Sequence, residues 1–228
     1  MLGDIHANHL ALEVVLDSAR SKKVSKLLLT GDLVGYYFGP AKTLQLLKGW
    51  DFIAVRGNHE EMLRTARNNA EKLSEITNRY GSGIEIALEQ LDSDEISFLC
   101  NLPHPLQVNI DGVSILLCHG SPLDVDQYTY PDTSISDLPE FRDSRHDLIL
   151  MGHTHHAMDR KAGSTRVVNP GSVGQPRDRI PGAAWAVFDT ADRSLTFHRE
   201  DYDASELIAE CSHRHPELPY LASVLTRT

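Results

Sequence analysis

The chain has 228 residues, with 22 lysines and arginines against 32 aspartates and glutamates, a formal net charge of -10 at pH 7. That length suits one large domain or at most two small ones, able to bury a core without staples. The acidic balance argues against a global basic face for nucleic acid or anionic lipid, although a metal cluster can make a local positive site inside an acidic protein.

The opening MLGDIHANHLALEVVL lacks the charged and apolar regions of a signal peptide, and no apolar stretch approaches the roughly 20 residues of a membrane span. Three scattered cysteines, Cys100, Cys118 and Cys211, predict a reducing, cytoplasmic setting without a disulfide framework. The spacing of Leu12, Val15, Leu16 and Ala19 predicts a helix, with Asn8 as its cap. KLLLTGD (26–32) and DFIAVRGNHE (51–60) read as strands around a helix at 40–48, a pattern that implies a parallel sheet. Residues 60–101 show two or three helical patterns, one opening at Glu60 and one capped at Ser93, and no strand. VSILLCHG (113–120) and DLILMGHTHH (147–156) are further strands, separated by a polar loop at 121–147. TRVVNPG, AAWAVFD and SLTFHRE alternate as antiparallel strands do, and a short helix and a tail follow Asp203.

The chemistry-bearing residues sit just past these runs, where open α/β sheets place ligands. They are Asp4 and His6, then Asp32, then Asn58 and His59, then His119, and finally His153 and His155. Alternate residues of extended backbone project to one side, so His153 and His155 can converge, and imidazole is the commonest nitrogen ligand for a metal. Taken singly, Gly-Asp is a turn, Asn-His-Glu a helix opening and His119 a strand end; five such groups in order make a site. Carboxylate, amide and imidazole donors without thiolate suit Mn, Fe, Ni, Co or Zn rather than calcium or a cysteine-type zinc site. Seven donors exceed one tetrahedral ion, whereas two ions roughly 3.5–4 Å apart would use all seven if one carboxylate bridges.

The series DIH, GDLVG, GNHE, CHG and GHTH resembles the calcineurin-like metallophosphoesterase superfamily. With NPGSVGQPR (169–177), GDIHAN is similar to its bacterial and archaeal phosphodiesterase-like branch, the likeness covering residues 3–200. The resemblance implies an α/β fold, a four-layer α/β/β/α sandwich of two mixed β-sheets flanked by helices. It would form a single metallophosphoesterase domain over residues 1–228, with a helical insertion at 60–101 and an irregular loop at 121–147. Asp4, His6 and His155 would hold one divalent ion, Asn58, His119 and His153 the other, and Asp32 would bridge them; manganese is the favoured metal. His59 would sit beside the phosphate without holding metal, and Asp32, Asn58 and His59 would form the catalytic set.

The implied activity is phosphoester hydrolysis by in-line attack of a metal-bridging hydroxide on a small phosphoester or nucleotide-like substrate, with no stable nucleic-acid complex and no membrane. Ser/Thr protein phosphatases and dinucleoside polyphosphate hydrolases share RGNHE (56–60) and are the alternative. The phosphatases carry an orienting Asp and a phosphate-clamping Arg where this chain has Gly35 and Tyr36, which favours diesters over monoesters. Scaffold members of the fold lose site positions that are kept here. Tyr36 and Arg177 are candidate substrate-binding residues, and Tyr37, Tyr128 and Tyr130 could stack on a base. Cys118 reads as strand packing, and His156, His213 and His215 match no ligand position. Only Met1 and Leu2 precede the first motif, where members carry a full strand. A very short first strand or a sequence that starts late would leave the sheet centre under-supported.

Overall fold

The computed structural model describes residues 1–228. The Asn8 side chain caps α1 (His9–Ser21) by accepting from Ala11 N–H, and α1 buries Ala11, Leu12, Val15, Leu16 and Ala19, one stripe of an amphipathic helix. β1 (Leu27–Leu29), α2 (Pro40–Leu47) and β2 (Phe52–Ala54) follow, and β1 pairs with β2 in parallel, as the βαβ pattern predicts. Next come four helices rather than two or three: α3 (Asn58–Ala66), α4 (Ala70–Tyr80), α5 (Gly83–Gln90) and α6 (Ser93–Cys100). α3 starts at Asn58, not Glu60, because the Glu60 carboxylate turns back to accept from Gly57 N–H at 2.8 Å. α6 is capped by Asp92 rather than Ser93, the Asp92 side chain accepting from Asp94 and Glu95 N–H.

β3 (Leu106–Ile110) and β4 (Val113–Leu117) form a hairpin that sequence reading only half recognised. Its turn is Asp111-Gly112, both at positive φ (50° and 81°), the geometry that two-residue hairpin turns demand and that Asp-Gly supplies. The segment 121–147 is irregular as expected, holding only a 3-10 turn (Ile135–Asp137) and the short α7 (Pro139–Arg142). The remaining elements are β5 (Leu148–Leu150), β6 (Met158–Ala162), β7 (Thr165–Asn169), β8 (Ala183–Phe188), β9 (Leu195–Glu200), α8 (Ser205–Arg214) and α9 (Tyr220–Ser223). β6 was also unanticipated.

Met1 and Leu2 serve as a two-residue strand. Leu2 N–H donates to Leu28 O at 2.9 Å, Leu2 O accepts from Thr30 N–H at 3.0 Å, and Met1 O accepts from Ala186 N–H at 3.1 Å. They thereby join the β1–β2 and β8–β9 ladders, and Leu2 is fully buried. The sheet centre is supported, contrary to the expectation drawn from so short a lead. The second sheet has the order β3-β4-β5-β7-β6, parallel at β4–β5 and β5–β7 and antiparallel at its margins.

Alternate strand residues separate the cores. Leu2, Leu27 and Leu29 face the helices, packing with Leu12 and Leu16 of α1 and Leu63 of α3. Met1 and Leu28 face the other way, onto Ile115, Leu117, Leu148 and Leu150 of the second sheet. Ile149 and Val167 then meet Ile135 and Phe141 on the far side, so helices, sheet, sheet and a thin helical cover follow one another. The parallel strands of both sheets end at one rim, where Cys118 N–H donates to Leu150 O at 2.9 Å and Gly152 N–H to His119 O at 2.9 Å. All three cysteines are buried and unpaired, and no helix is long and apolar enough to cross a membrane.

The thin cover rests on one ring, since Phe141 is completely buried on a helix of four residues. Phe141→Ala is expected to lower the unfolding free energy by roughly 3–5 kcal/mol, measured by urea denaturation. A loss under about 1 kcal/mol, the range of surface substitutions, would show that the segment is not a structural layer.

Candidate metal centre and its cleft

The rim is built from loops held in an uncommon backbone state. Asp4, His6, Asp32, His153 and His155 have φ of 54°, 52°, 53°, 69° and 62°, left-handed values that cost non-glycine residues of order 1–3 kcal/mol each and persist only where the surroundings over-determine them. Glu60 supplies much of that determination. Fully buried, it accepts from Asp32 N–H at 2.8 Å, Leu33 N–H at 2.7 Å, Val34 N–H at 3.3 Å and Gly57 N–H at 2.8 Å. Gly57 must lack a side chain, because a Cβ there would lie 2.1 Å from Asp32 Oδ1. That oxygen instead accepts from His59 N–H at 2.9 Å. Asp4 Oδ1 accepts from His153 N–H at 3.0 Å, and Asp4 O from the Ser172 hydroxyl at 2.8 Å.

These loops bring all seven predicted ligands together, every one of them buried. They fall into two groups, and the histidine pair divides between them. His155 Nε2 lies 3.1 Å from His6 Nε2 and 3.4 Å from Asp4 Oδ1. His153 Nδ1 lies 3.1 Å from Asn58 Oδ1 and 3.3 Å from His119 Nε2, and His119 Nε2 is 3.0 Å from Asn58 Oδ1. The expectation that His153 and His155 converge on one point from extended backbone is therefore corrected: left-handed turns send them to neighbouring points. Asp32 Oδ2 stands between the groups, 3.7 Å from His6 Nε2 and 3.3 Å from His119 Nε2. His59 also offers an atom to the cluster of His6 and Asp32.

Backbone carbonyls settle the tautomers. His6 Nδ1–H donates to Val34 O at 3.4 Å, His119 Nδ1–H to Thr30 O at 2.7 Å and His155 Nδ1–H to Gln175 O at 2.6 Å. Such bonds orient an imidazole ring, and these turn the three Nε2 atoms toward the cluster. Burial pushes His6 and His155 well below the ordinary imidazole range and His153 down to about 3. Two lone pairs 3.1 Å apart then repel unless a cation lies between them, so the residues fit a metal. At His119 burial also lowers the pKa, but Asp32 and Asp4 outweigh it and leave it at about 10. Burial raises the Asp4 carboxyl to about 7; Asp32 is buried too, yet facing His119 and His59 hold it well below the usual carboxylate range.

Asp32, Tyr36, Asn58, His59, Tyr128 and Arg177 line a solvent-open cleft of about 280 Å3 over this cluster, near the lower end of the range for small-molecule sites. Arg177 Nε and Nη2 donate to Gln175 Oε1 at 3.1 and 2.8 Å, and Nη2 donates to the Tyr36 hydroxyl at 3.0 Å. Tyr128, 54% exposed, lies 4.3 Å from the His153 ring and stacks on Tyr130. Tyr37 cannot stack on a ligand, being fully buried with its hydroxyl donating to Leu221 O. Cys118 packs in the core, as expected.

His59 is buried with Nδ1 unpartnered, and burial lowers it to about 4 against the pull of Asp32. Gly35 explains the missing partner: at φ +90° it would place a Cβ 2.0 Å from His59 Nδ1. Sequence reading missed Glu60, whose signal was its place after GNH. It also missed Asn169, which donates to Gly152 O at 2.7 Å and accepts from Gly171 N–H at 2.9 Å, giving NPG its role under the GHTH loop.

Residues 1–193 match the calcineurin-like phosphoesterase superfamily domain. An uncharacterised protein of Methanocaldococcus jannaschii is 28% identical over 221 residues, covering 89% of this chain and 87% of the relative. A solved metallophosphoesterase from Sphaerobacter thermophilus superposes with a TM-score of 0.73 at 28% identity, over 98% of this chain and 96% of that one. A hypothetical protein from Pyrococcus horikoshii superposes with a TM-score of 0.86 at 20% identity, over 99% and 96%, a likeness of fold.

Glu60→Gln puts an amide N–H2 against backbone donors that now face a carboxylate oxygen. With a cost of roughly 1–3 kcal/mol for each buried group left unsatisfied, the variant is expected to melt earlier and retain less divalent metal. Unchanged melting and metal content would remove Glu60 from this role.

Proposed function

The chain belongs to the calcineurin-like phosphoesterase superfamily, and on that premise we propose that it is a phosphodiesterase working with two divalent metal ions. The observation that carries this reading is the pair of facing lone pairs on His6 and His155, 3.1 Å apart, beside a second group of donors on Asn58, His119 and His153. Asp4, His6 and His155 would hold one ion, Asn58, His119 and His153 the other, and Asp32, placed between the groups, would serve both. The thiolate-free donor set suits manganese, with iron, cobalt, nickel and zinc as alternatives. When bound, the ions supply Lewis-acid charge that brings a water's pKa near neutrality and offsets charge on phosphoryl oxygens.

The protein's own groups do the rest. Asn58 turns Oδ1 to the donor cluster and has amide N–H groups to spare for a phosphoryl oxygen. Arg177 brings a guanidinium to the same cleft, but Nε and Nη2 already serve Gln175 and Tyr36, so a two-pronged grip on a monoester dianion is not free. That shortage, with Gly35 and Tyr36 where phosphatases carry Asp and Arg, supports diesters as the substrates. His59 is neutral in the ion-free protein, and an arriving phosphate anion favours its charged form. It would then protonate the departing oxygen. Its Nδ1 finds no acceptor, so the benefit belongs at the low end of the roughly 10²–10⁴-fold range of general acids.

Metal analysis with a substrate panel tests the reading. Two metals per chain are expected, with kcat/KM on bis-p-nitrophenyl phosphate exceeding that on p-nitrophenyl phosphate by on the order of tenfold, about 1.4 kcal/mol of transition-state binding. The reverse preference would sink the diester assignment.

Asp32→Asn removes the charge that two dications would share and should leave a folded protein holding fewer than two metals per chain. Two tightly held metals with near-native turnover would contradict the bridge. His59→Ala should keep both metals and lose on the order of 10²-fold on an alkyl or nucleotide diester, but far less on bis-p-nitrophenyl phosphate, whose leaving group departs without a proton. Equal losses would make His59 a phosphate-binding residue instead.

A further inference from the structure

A second cavity opens beside the metal cleft and shares its wall. Tyr36, Arg79, Tyr80 and Arg177 line both. The far side of the second cavity is formed by Leu218, Tyr220 and Leu221, from the α9 segment, which lies past the residues matched to the family. No carboxylate lines this cavity, although the chain carries a net charge of -10. The hydrogen bonds of Arg177 within the chain go to neutral groups, the Gln175 amide and the Tyr36 hydroxyl, while Arg79 lies over the Tyr80 ring, 5.0 Å from its centroid. A largely buried guanidinium whose hydrogen-bond partners are all neutral has its charge offset only at longer range, by Asp4, and an anion in the cavity would compensate it directly.

The aromatic wall is preformed. His215 Nε2 accepts from Ser82 N–H at 3.0 Å, tying the chain ahead of α9 to the start of α5. The Tyr37 hydroxyl donates to Leu221 O at 3.2 Å. The Tyr220 hydroxyl donates at 3.4 Å to Gln175 Oε1, the same oxygen that holds Arg177. One amide thus fixes a cation and a ring side by side, the pair of groups that a phosphate joined to an aromatic base requires.

We propose that this cavity is the subsite for the part of a diester substrate beyond the scissile phosphate, and that it takes a nucleoside monophosphate unit. Its phosphate pairs with Arg177 and Arg79, and its base lies against Tyr80 and Tyr220. The proposal rests on the phosphodiesterase reading and narrows it to short nucleotides with a second phosphate, such as a 5′-phosphorylated dinucleotide. Hydrolysis of that substrate breaks the bond from the scissile phosphorus to the ribose 3′ oxygen of the 5′-phosphorylated nucleotide. The oxygen of water joins phosphorus, one hydrogen goes to the departing oxygen, and two nucleoside monophosphates are released.

Two measurements on the full chain test it. In steady-state kinetics the 5′-phosphorylated diadenylate should exceed the same dinucleotide without its terminal phosphate in kcat/KM by on the order of tenfold. Tyr220→Ala should cost on the order of tenfold on the phosphorylated dinucleotide, as loss of one base–aromatic stack does, leave bis-p-nitrophenyl phosphate unchanged, and be rescued by Tyr220→Phe. In calorimetry, adenosine monophosphate should bind the chelator-treated chain, and Arg79→Gln should weaken that binding on the order of tenfold, as loss of a charge-assisted hydrogen bond does. Equal rates with and without the terminal phosphate, or a Tyr220→Ala loss that falls equally on bis-p-nitrophenyl phosphate, would overturn the proposal. Diester turnover without nucleotide binding by the chelated chain would overturn the subsite and spare the phosphodiesterase reading. Nucleotide binding that depends on Arg79, with no diester turned over, would do the opposite.

Discussion

Glu60 gathers four backbone N–H groups, those of Asp32, Leu33, Val34 and Gly57, onto one buried carboxylate. Burial lifts the Glu60 carboxyl to about 7, and even at the roughly 0.5–1.5 kcal/mol of an ordinary hydrogen bond the four together offset the cost of holding Asp32 at a left-handed φ. The loop after β1 is thereby locked to the loop after β2, and the consequences spread outward. Asp32 is aimed between the two donor groups, and Val34 O is fixed where it receives the His6 Nδ1 proton. His59 is pinned through its backbone to the Asp32 carboxylate. A single side chain that no ligand would touch sets the position of a carboxylate, the tautomer of an imidazole and the entry of a helix.

The rim also needs positive charge for its own stability. Two carboxylates, an amide oxygen and several imidazole lone pairs converge there on buried side chains. In the ion-free protein the proton on His119, held between Asp32 and Asp4, compensates part of that charge. Metal binding would displace it, so occupancy of the centre and its protonation are one linked equilibrium. The surroundings can bear this load because the centre sits over two packed layers, with the inter-sheet core beneath it and His119 tied across the gap to Thr30 of the other sheet.

That these donor residues would meet was legible because each follows a strand, and a parallel sheet delivers the ends of such strands to one rim. The βαβ start, the helical stretch and the irregular loop were legible for the same reason, each being a change of period. The physical argument for the histidine pair was not sound. Extended backbone would have sent His153 and His155 to one point, and their positive φ values are set by packing that no local pattern reports. The tautomer-fixing carbonyls of Thr30, Val34 and Gln175 were invisible because a backbone oxygen has no residue signature. β3 was missed beside Pro103 and Pro105 although Asp111-Gly112 announced its turn, and the Met1–Leu2 strand is too short to show any period.

Gly35 touches no predicted metal ligand, yet it limits what the site can become. A Cβ at that position would lie 2.0 Å from His59 Nδ1, so the space an orienting carboxylate would need is taken by the ring it would orient. Replacing Gly35 with an acid would expel His59 before it could steady it. Gaining an oriented histidine therefore requires the backbone at φ +90° and the imidazole to move together.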